Sequence, residues 1–381
     1  VLDTVAVLPM VHLSGDEGQE YLAVGMTREL IGELTKIGAL KVRPYDSVRS
    51  YRDTDKTLAE IARELRVTAV VTASVVSSGD QLHINAQLIN TRNEENVWAG
   101  SFDRRMKDIL SFYGEIAQTI ASEVHVAVAP DEAQLLVERR EVDPEAYRLH
   151  LLGVRAASEL SSEGIRKGIE YQLQSVEQDS TYAPPHAELA WNYFILSHSV
   201  NMRPQEAKPL MRKAADRALA LNDQLGLAHA AWGQYELNFE WDFPAALGSY
   251  HRAYTLTPGD PHVVTSYAVA LAMDGQYDRA IELAEISAEI DPLNPYRTGA
   301  VGWVYWWAGR LEEAVEIMER NLEANPKYFF SVAHLSWAQA ELGNKAEAIE
   351  RAKQAIEMVP GNQVVLLGSA TVFAQFGMGA E

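Results

Sequence analysis

Acid–base and metal chemistry need His, Cys, Asp and Glu at ligand or proton-transfer spacing, and this chain offers few such sets. His186-Ala187-Glu188 has the His-x-Glu spacing of a zinc site whose glutamate moves a proton. Such a site is completed by a cysteine pair, and the chain has no cysteine. The same lack removes disulfides, thiolate metal ligands and cysteine nucleophiles. His186 is therefore read as a helix-start residue. His83 falls on the strand face opposite Leu82 and Ile84, and reads as a surface or hydrogen-bonded strand histidine. The loop from Gly15 to Gly18 sits where a strand–helix turn could cradle phosphate. It lacks the lysine and glycine spacing for that, and Asp16 and Glu17 would repel the ligand. A plain connection is expected there. Glu312-Glu313 and the acidic run at 93–96 read as solvated faces and turns, so paired carboxylates support no glycosidase. G-x-S-x-G, Walker, H-E-x-x-H and EF-hand patterns are absent. The reading is of no enzyme, no cofactor and no bound metal in this chain.

What remains is aromatic. Tyr296, Trp303, Trp306 and Trp307 crowd one short stretch, followed by Phe330 and Trp337. Helical spacing of large rings usually means core. One helix pair does not easily bury Trp303, Trp306 and Trp307 together, which leaves rings for a partner. Rigid rings give contact area at low entropic cost, and suit apolar or proline-rich peptides. The formal net charge of −20 over 381 residues argues against nucleic-acid backbones and anionic lipid surfaces as partners. Much of that charge is expected on solvated helix faces.

The elements that must position these rings are legible from spacing. Pro258, Pro292, Pro326 and Pro360 lie 34 residues apart. Ala246, Ala280, Ala314 and Ala348 keep the same step, as do Gly275, Gly309 and Gly343. A period of this length means stacked helix–turn–helix units, each covering its neighbour's apolar face. Small residues let paired helices approach, and proline ends the second helix of each pair. The pattern resembles tetratricopeptide repeats, aligned at 146–181, 183–224, 226–260, 261–294, 295–328 and 329–362, with 363–377 as the first helix of a seventh. The third repeat carries one extra residue around Glu240-Trp241-Asp242, and Asp223 replaces the terminal proline of the second.

The resemblance implies an inner surface lined by particular first-helix positions. Here those are Tyr147 and His150 in the first repeat, and Trp191, Phe194 and Ile195 in the second. The fifth gives Tyr296, Trp303, Trp306 and Trp307, and the sixth gives Phe330 and Trp337. The family's carboxylate clamp needs Lys, Asn and Arg at inner positions that are mostly apolar here. The helix at 363–377 is apolar on too many sides for a solvated cap, so more chain or a second copy is expected to cover it, the latter giving a homodimer.

Before the repeats, the pattern changes. Residues 4–9 read as a buried strand, 21–36 as an amphipathic helix, 40–44 and 67–76 as strands. Thr57 with Glu60 forms a capping box for a helix through Leu65. Segments 81–91 and 96–104 complete an antiparallel meander with 67–76, and 106–126 is a closing helix. Gly25 is read as a close contact between that first helix and the sheet. The stretches VAVLPMVHLSGDEGQEYLAVGMTRELIGELTKIGALKVRP and LAEIARELRVTAVVTASVVSSGDQLHINAQLINTRNEENVWAGSFDR resemble the TolB amino-terminal-like domain, related to the FlgO-like domain. The family commonly has Leu-Pro-Phe where this chain has Leu8-Pro9-Met10. It has Asp-Gly-Leu-Thr-Glu-Glu-Leu where this chain runs Val24-Gly25-Met26-Thr27-Arg28-Glu29-Leu30. That resemblance transfers no chemistry to single residues.

The expected fold is therefore an α+β two-part chain. A small α/β sandwich-like module at 1–128 and a connector at 129–143 lead into an all-α tetratricopeptide solenoid at 144–381. Val1 opens almost directly on a strand, and a fragment of a longer polypeptide is expected. The combination resembles the carboxy-terminal part of bacterial adenylate cyclases, winged-helix regulators and Ser/Thr kinases. This implies a regulatory or scaffolding segment that binds protein or peptide. A periplasmic or envelope assembly adaptor is the alternative. The compartment is open, with cytoplasm favoured over periplasm.

Overall fold

A computed structural model describes residues 2–13, 20–137, 141–158, 161–198 and 202–378. The chain divides into two compact units, Val1–Val263 and Val264–Glu381.

The first unit begins with strands β1 (Thr4–Val7) and β2 (Val11–His12), helix α1 (Glu20–Leu34), strand β3 (Lys41–Val42), and helices α2 (Tyr45–Val48) and α3 (Leu58–Leu65). Three ten-residue strands follow, β4 (Ala69–Ser78), β5 (Gln81–Asn90) and β6 (Asn96–Arg105), then α4 (Ile109–Glu123) and α5 (Pro130–Leu135). The sheet order is β3-β1-β4-β5-β6, with β2 pairing β4. β1 runs parallel to β3 and β4, while β4-β5-β6 is the expected antiparallel meander. Ser78 pairs with Gln81 across a tight turn in which Gly79 takes φ +62°. The Thr57–Glu60 capping box forms as the sequence dictates.

Helical hairpins then take over, with α6 (Pro144–Ala157) and α7 (Ser162–Gln178), α8 (Ala183–His198) and α9 (Pro204–Leu221), α10 (Gly226–Tyr235) and α11 (Phe243–Leu256). The extra residue of the third repeat is absorbed by a π-helical turn at Glu236–Glu240. Trp241 follows it at φ +57° and is 72% exposed.

The module's core does not stop where the hairpins begin. Tyr147, Leu151 and Tyr182 belong to one buried cluster with Val70, Leu88, Ile116 and Leu34. A Cβ on Gly25 would lie 2.5 Å from the Leu151 side chain, so its close approach is to α6 and not to the sheet. A Cβ on Gly114 would meet the Leu136 carbonyl at 1.8 Å, which ties α4 to the segment leading into the hairpins. The loop after α11 returns to the module, where Gly259 N–H donates to the Thr35 carbonyl at 2.9 Å.

Beginning with α12 (Pro261–Met273), the repeats become regular. They are α13 (Tyr277–Ile290), α14 (Pro295–Trp307), α15 (Leu311–Ala324), α16 (Phe329–Glu341), α17 (Lys345–Met358) and α18 (Gln363–Gln375). Gly275, Gly309 and Gly343, at φ +83°, +73° and +81°, turn each first helix into its second. Ala280, Ala314 and Ala348 are fully buried. A Cβ on Gly302 would press on Met318 at 2.7 Å, the close α14–α15 approach that small residues permit. The fold class is the one expected, a small mixed sheet followed by helical hairpins of the tetratricopeptide type. Among the described residues, no helix is long and apolar enough to cross a membrane.

Candidate partner-binding surface

In the second unit, α14 places Tyr296 and Trp303 seven residues apart on one face, and the following turn of the helix adds Trp306 and Trp307. Asn294 caps this helix by accepting from Tyr296 N–H at 3.0 Å. Buried Asn321 on α15 fixes α14 against α16. It accepts from Thr298 Oγ1 at 2.8 Å, and donates to the Pro295 carbonyl at 3.0 Å and to Ser331 Oγ at 2.8 Å. The rings are thus held by a hydrogen-bonded frame and not by packing alone.

The rings converge on His334. Its imidazole stacks on Trp303 at 4.7 Å, lies 4.4 Å from Trp337 and meets Trp306 edge-on at 6.1 Å. Tyr296 packs edge-to-face on Trp303 at 5.2 Å, Phe330 lies 5.9 Å from Trp303, and Trp306 and Trp337 are 5.7 Å apart. Burial pushes the His334 pKa down to about 4, against a hydrogen bond to the Phe330 carbonyl at 2.8 Å. The ring is neutral at pH 7. With Nδ1–H donated to that carbonyl, Nε2 is left as an acceptor.

Donors dominate this cluster. Among the described residues, the indole N–H groups of Trp303, Trp306 and Trp337 are buried without an acceptor, as are the Tyr328 hydroxyl and the Nε and Nη1 of Arg297. Buried polar groups are normally paired, so this concentration in one place is unusual. Burial first, then the neighbouring Tyr296, pushes the Tyr328 hydroxyl pKa up, while Arg297 acts the other way. Tyr328 therefore stays a neutral donor.

The sequence-derived residues do not share one environment. Tyr296 is 38% exposed, and Trp306, Trp307 and Phe330 are half-buried. Trp303 is only 6% exposed. Trp337 packs against α18, where a Cβ on Gly368 would come within 2.4 Å of its Nε1. In the first unit, half-buried Trp191, Phe194 and Ile195 pack beside a cluster with Leu189, Met211 and Tyr235. Trp191 also stands edge-on to His262 at 4.4 Å. Tyr147 and His150 face no free surface. Tyr147 is buried with its hydroxyl 2.6 Å from that of Tyr113. His150 is buried between Gln172 Oε1 at 3.0 Å and Glu29 Oε1 at 3.3 Å. The module occupies the position that the repeat pattern alone leaves open. His186 is buried near the start of α8, and His83 pairs with Asp103 at 2.8 Å on an exposed strand face.

Sequence reasoning did not single out His334, Arg297 or Tyr328. His334 was readable, since it lies four residues after Phe330 and three before Trp337, on their helix face. Arg297 was visible as the one charged residue of α14. Tyr328 carried no signal, because it precedes α16 and its place depends on the loop.

No family model matches the chain. A protein of Rhizobium meliloti (strain 1021) named "Putative adenylate cyclase 3" is 30% identical over 187 residues, 49% of this chain and 32% of that protein. The chain thus covers about a third of that curated relative's own length. Among solved structures, a monomeric mutant of IFIT1 with m7Gppp-AAAA is similar at a TM-score of 0.51. The identity is 14%, and 71% of each chain is covered. YrrB, a TPR protein with an unusual peptide-binding site, aligns at a TM-score of 0.37 and 19% identity, over 52% of this chain and 97% of that one. At 14% identity the likeness to the IFIT1 structure is one of fold alone.

Proposed function

We propose that this chain is a non-catalytic protein-binding segment of a bacterial signalling protein, whose partner docks on the aromatic face of α14 and α16. In this reading residues 1–128 form a TolB-like module, 129–143 connect it, and 144–381 are the repeats that bind. The supporting observation is the cluster around His334. Half-exposed rings, and the Trp303 and Trp306 indole donors that lack an acceptor among the described residues, are what an extended peptide needs, because its own carbonyls are unpaired. Trp191, Phe194 and Ile195 offer a smaller surface of the same kind on α8.

The test is selection of peptides from a displayed library of random dodecapeptides on the intact chain. Selected peptides are expected to share a motif, and to bind at least tenfold more weakly to a variant carrying Tyr296→Ala and Trp307→Ala that melts close to the parent. No shared motif, or affinity indifferent to both rings, would sink the reading. A narrower version has support from the Rhizobium relative: the segment modulates an adenylate cyclase domain in the same polypeptide. Cyclic AMP formation by the full-length product should then change on adding a selected peptide. An unchanged rate would leave binding without that role.

A further inference from the structure

We infer that Arg297 is the docking point for a carboxylate of the partner, so that the segment bound on α14 and α16 carries an internal Asp or Glu flanked by apolar residues. This rests on the binding face proposed above, and specifies its occupant. Arg297 is 8% exposed, and its Nε and Nη1 have no acceptor among the described residues. Its guanidinium lies over the Tyr296 ring at 5.0 Å, and no carboxylate among the described residues pairs with it. A buried guanidinium without an anion is costly, and an incoming carboxylate removes that cost.

The neighbours sharpen the chemistry. The Tyr328 hydroxyl and the Trp303 indole N–H are also buried donors without acceptors among the described residues. Tyr328 stands close to α14, since a Cβ on Gly299 would be 3.2 Å from its ring. The cluster of Tyr296, Arg297, Trp303, Tyr328, Phe330 and His334 thus holds one cation and no anion, in a chain whose net charge is −20. Planar guanidinium suits a carboxylate, and the neutral donors suit main-chain carbonyls on either side of it. One cation matches one carboxylate. A main chain continuing past it is what uses the further indole donor of Trp306, which favours an internal acidic residue over a chain end.

The test uses the selected peptides, each made with its acidic residue, with the matching Gln or Asn, and with a free or an amidated C-terminus. Fluorescence anisotropy is read on the intact chain and on Arg297→Met. The acidic peptide is expected to lose roughly 10–100-fold on neutralisation, the range for a charge-assisted hydrogen bond. Arg297→Met should weaken the acidic peptide by the same factor and leave the neutral one unchanged. The free variant should melt at or above the parent, because a buried unpaired charge has gone. Selection of uncharged motifs that still need Tyr296 and Trp307 would overturn the carboxylate and keep the binding face. A strict need for a free C-terminus would overturn the internal position. A variant melting far below the parent would show that Arg297 is paired within the fold, and an absence of any motif would remove face and carboxylate together.

Discussion

At the scale of single residues, burial decides charge. His334 is held neutral among indoles, with its pKa pushed from about 6.5 to about 4. The unfolded chain takes up a proton first as pH falls. The stability His334 supports is therefore full above pH 6.5 and is lost progressively between about 6.5 and 4. The shift corresponds to about 3 kcal/mol across that window. His334→Phe keeps a ring and removes the proton site, so its stability should fall less steeply with acid than the parent's. Parallel urea titrations from pH 7 to 4 would show this, and identical slopes would place the proton elsewhere. Gly25 makes the second point. Its missing side chain is filled by Leu151, so Gly25→Val forces a clash between α1 and α6. A loss of about 1–3 kcal/mol is expected from overpacking, read as a lower melting temperature. A neutral result would mean that α6 can slide away at little cost.

Elements show where sequence patterns are sufficient and where they fail. The 34-residue step placed α12 to α18 because each constraint is local: a proline after a helix, a glycine at positive φ, an alanine under a neighbour. The Thr57–Glu60 capping box and the meander around Gly79 were legible for the same reason. Tyr147 and His150 were expected on an open face because the repeat pattern carries no information about what packs against it. Gly25 announced a close contact without naming the partner. The third repeat is intermediate, since an extra residue was countable but its form was not. The π turn and left-handed Trp241 take it up, at a backbone conformation that bulky residues rarely adopt. Asn tolerates that conformation, and a β-branched residue does not. Trp241→Val should therefore melt below Trp241→Asn by the equivalent of about 1 kcal/mol. Equal melting would imply that the turn rearranges to an ordinary helix end.

On the scale of the whole molecule, the question is what folds as a unit. Within Val1–Val263 the sheet, α1 and α4 share one core with Tyr147, Leu151 and Tyr182 of the hairpins. Burial of each such side chain stabilises by roughly 1.5–3 kcal/mol, so removing the hairpins strips a sizeable part of a marginal total. The seam is also polar. Burial alone would lower the His150 pKa, but Glu29, joined by Glu188 and Gln172, offsets it and the net shift is upward. The Glu188 carboxyl is raised by burial against the pull of His150 and Arg28, with Glu29 adding to the rise. Both signs run the same way. A histidine raised above 6.5 stabilises below that pH and stops doing so as pH rises through its folded value, and a raised glutamate also disfavours folding as it ionises. The seam should thus weaken as pH rises, from about 4.5 through Glu188 and from about 6.5 through His150, and His150→Gln should flatten the upper part of that dependence. The decisive comparison is between residues 1–263 and 1–128 produced separately. The longer piece is expected to unfold in a single transition whose midpoint temperature drops as pH rises above 6.5. The shorter should expose apolar surface, bind a hydrophobic dye and lack a cooperative transition. If residues 1–128 melt cooperatively near the longer piece's temperature, the module carries its own core. The contacts through Tyr147, Leu151 and Tyr182 would then serve docking rather than folding.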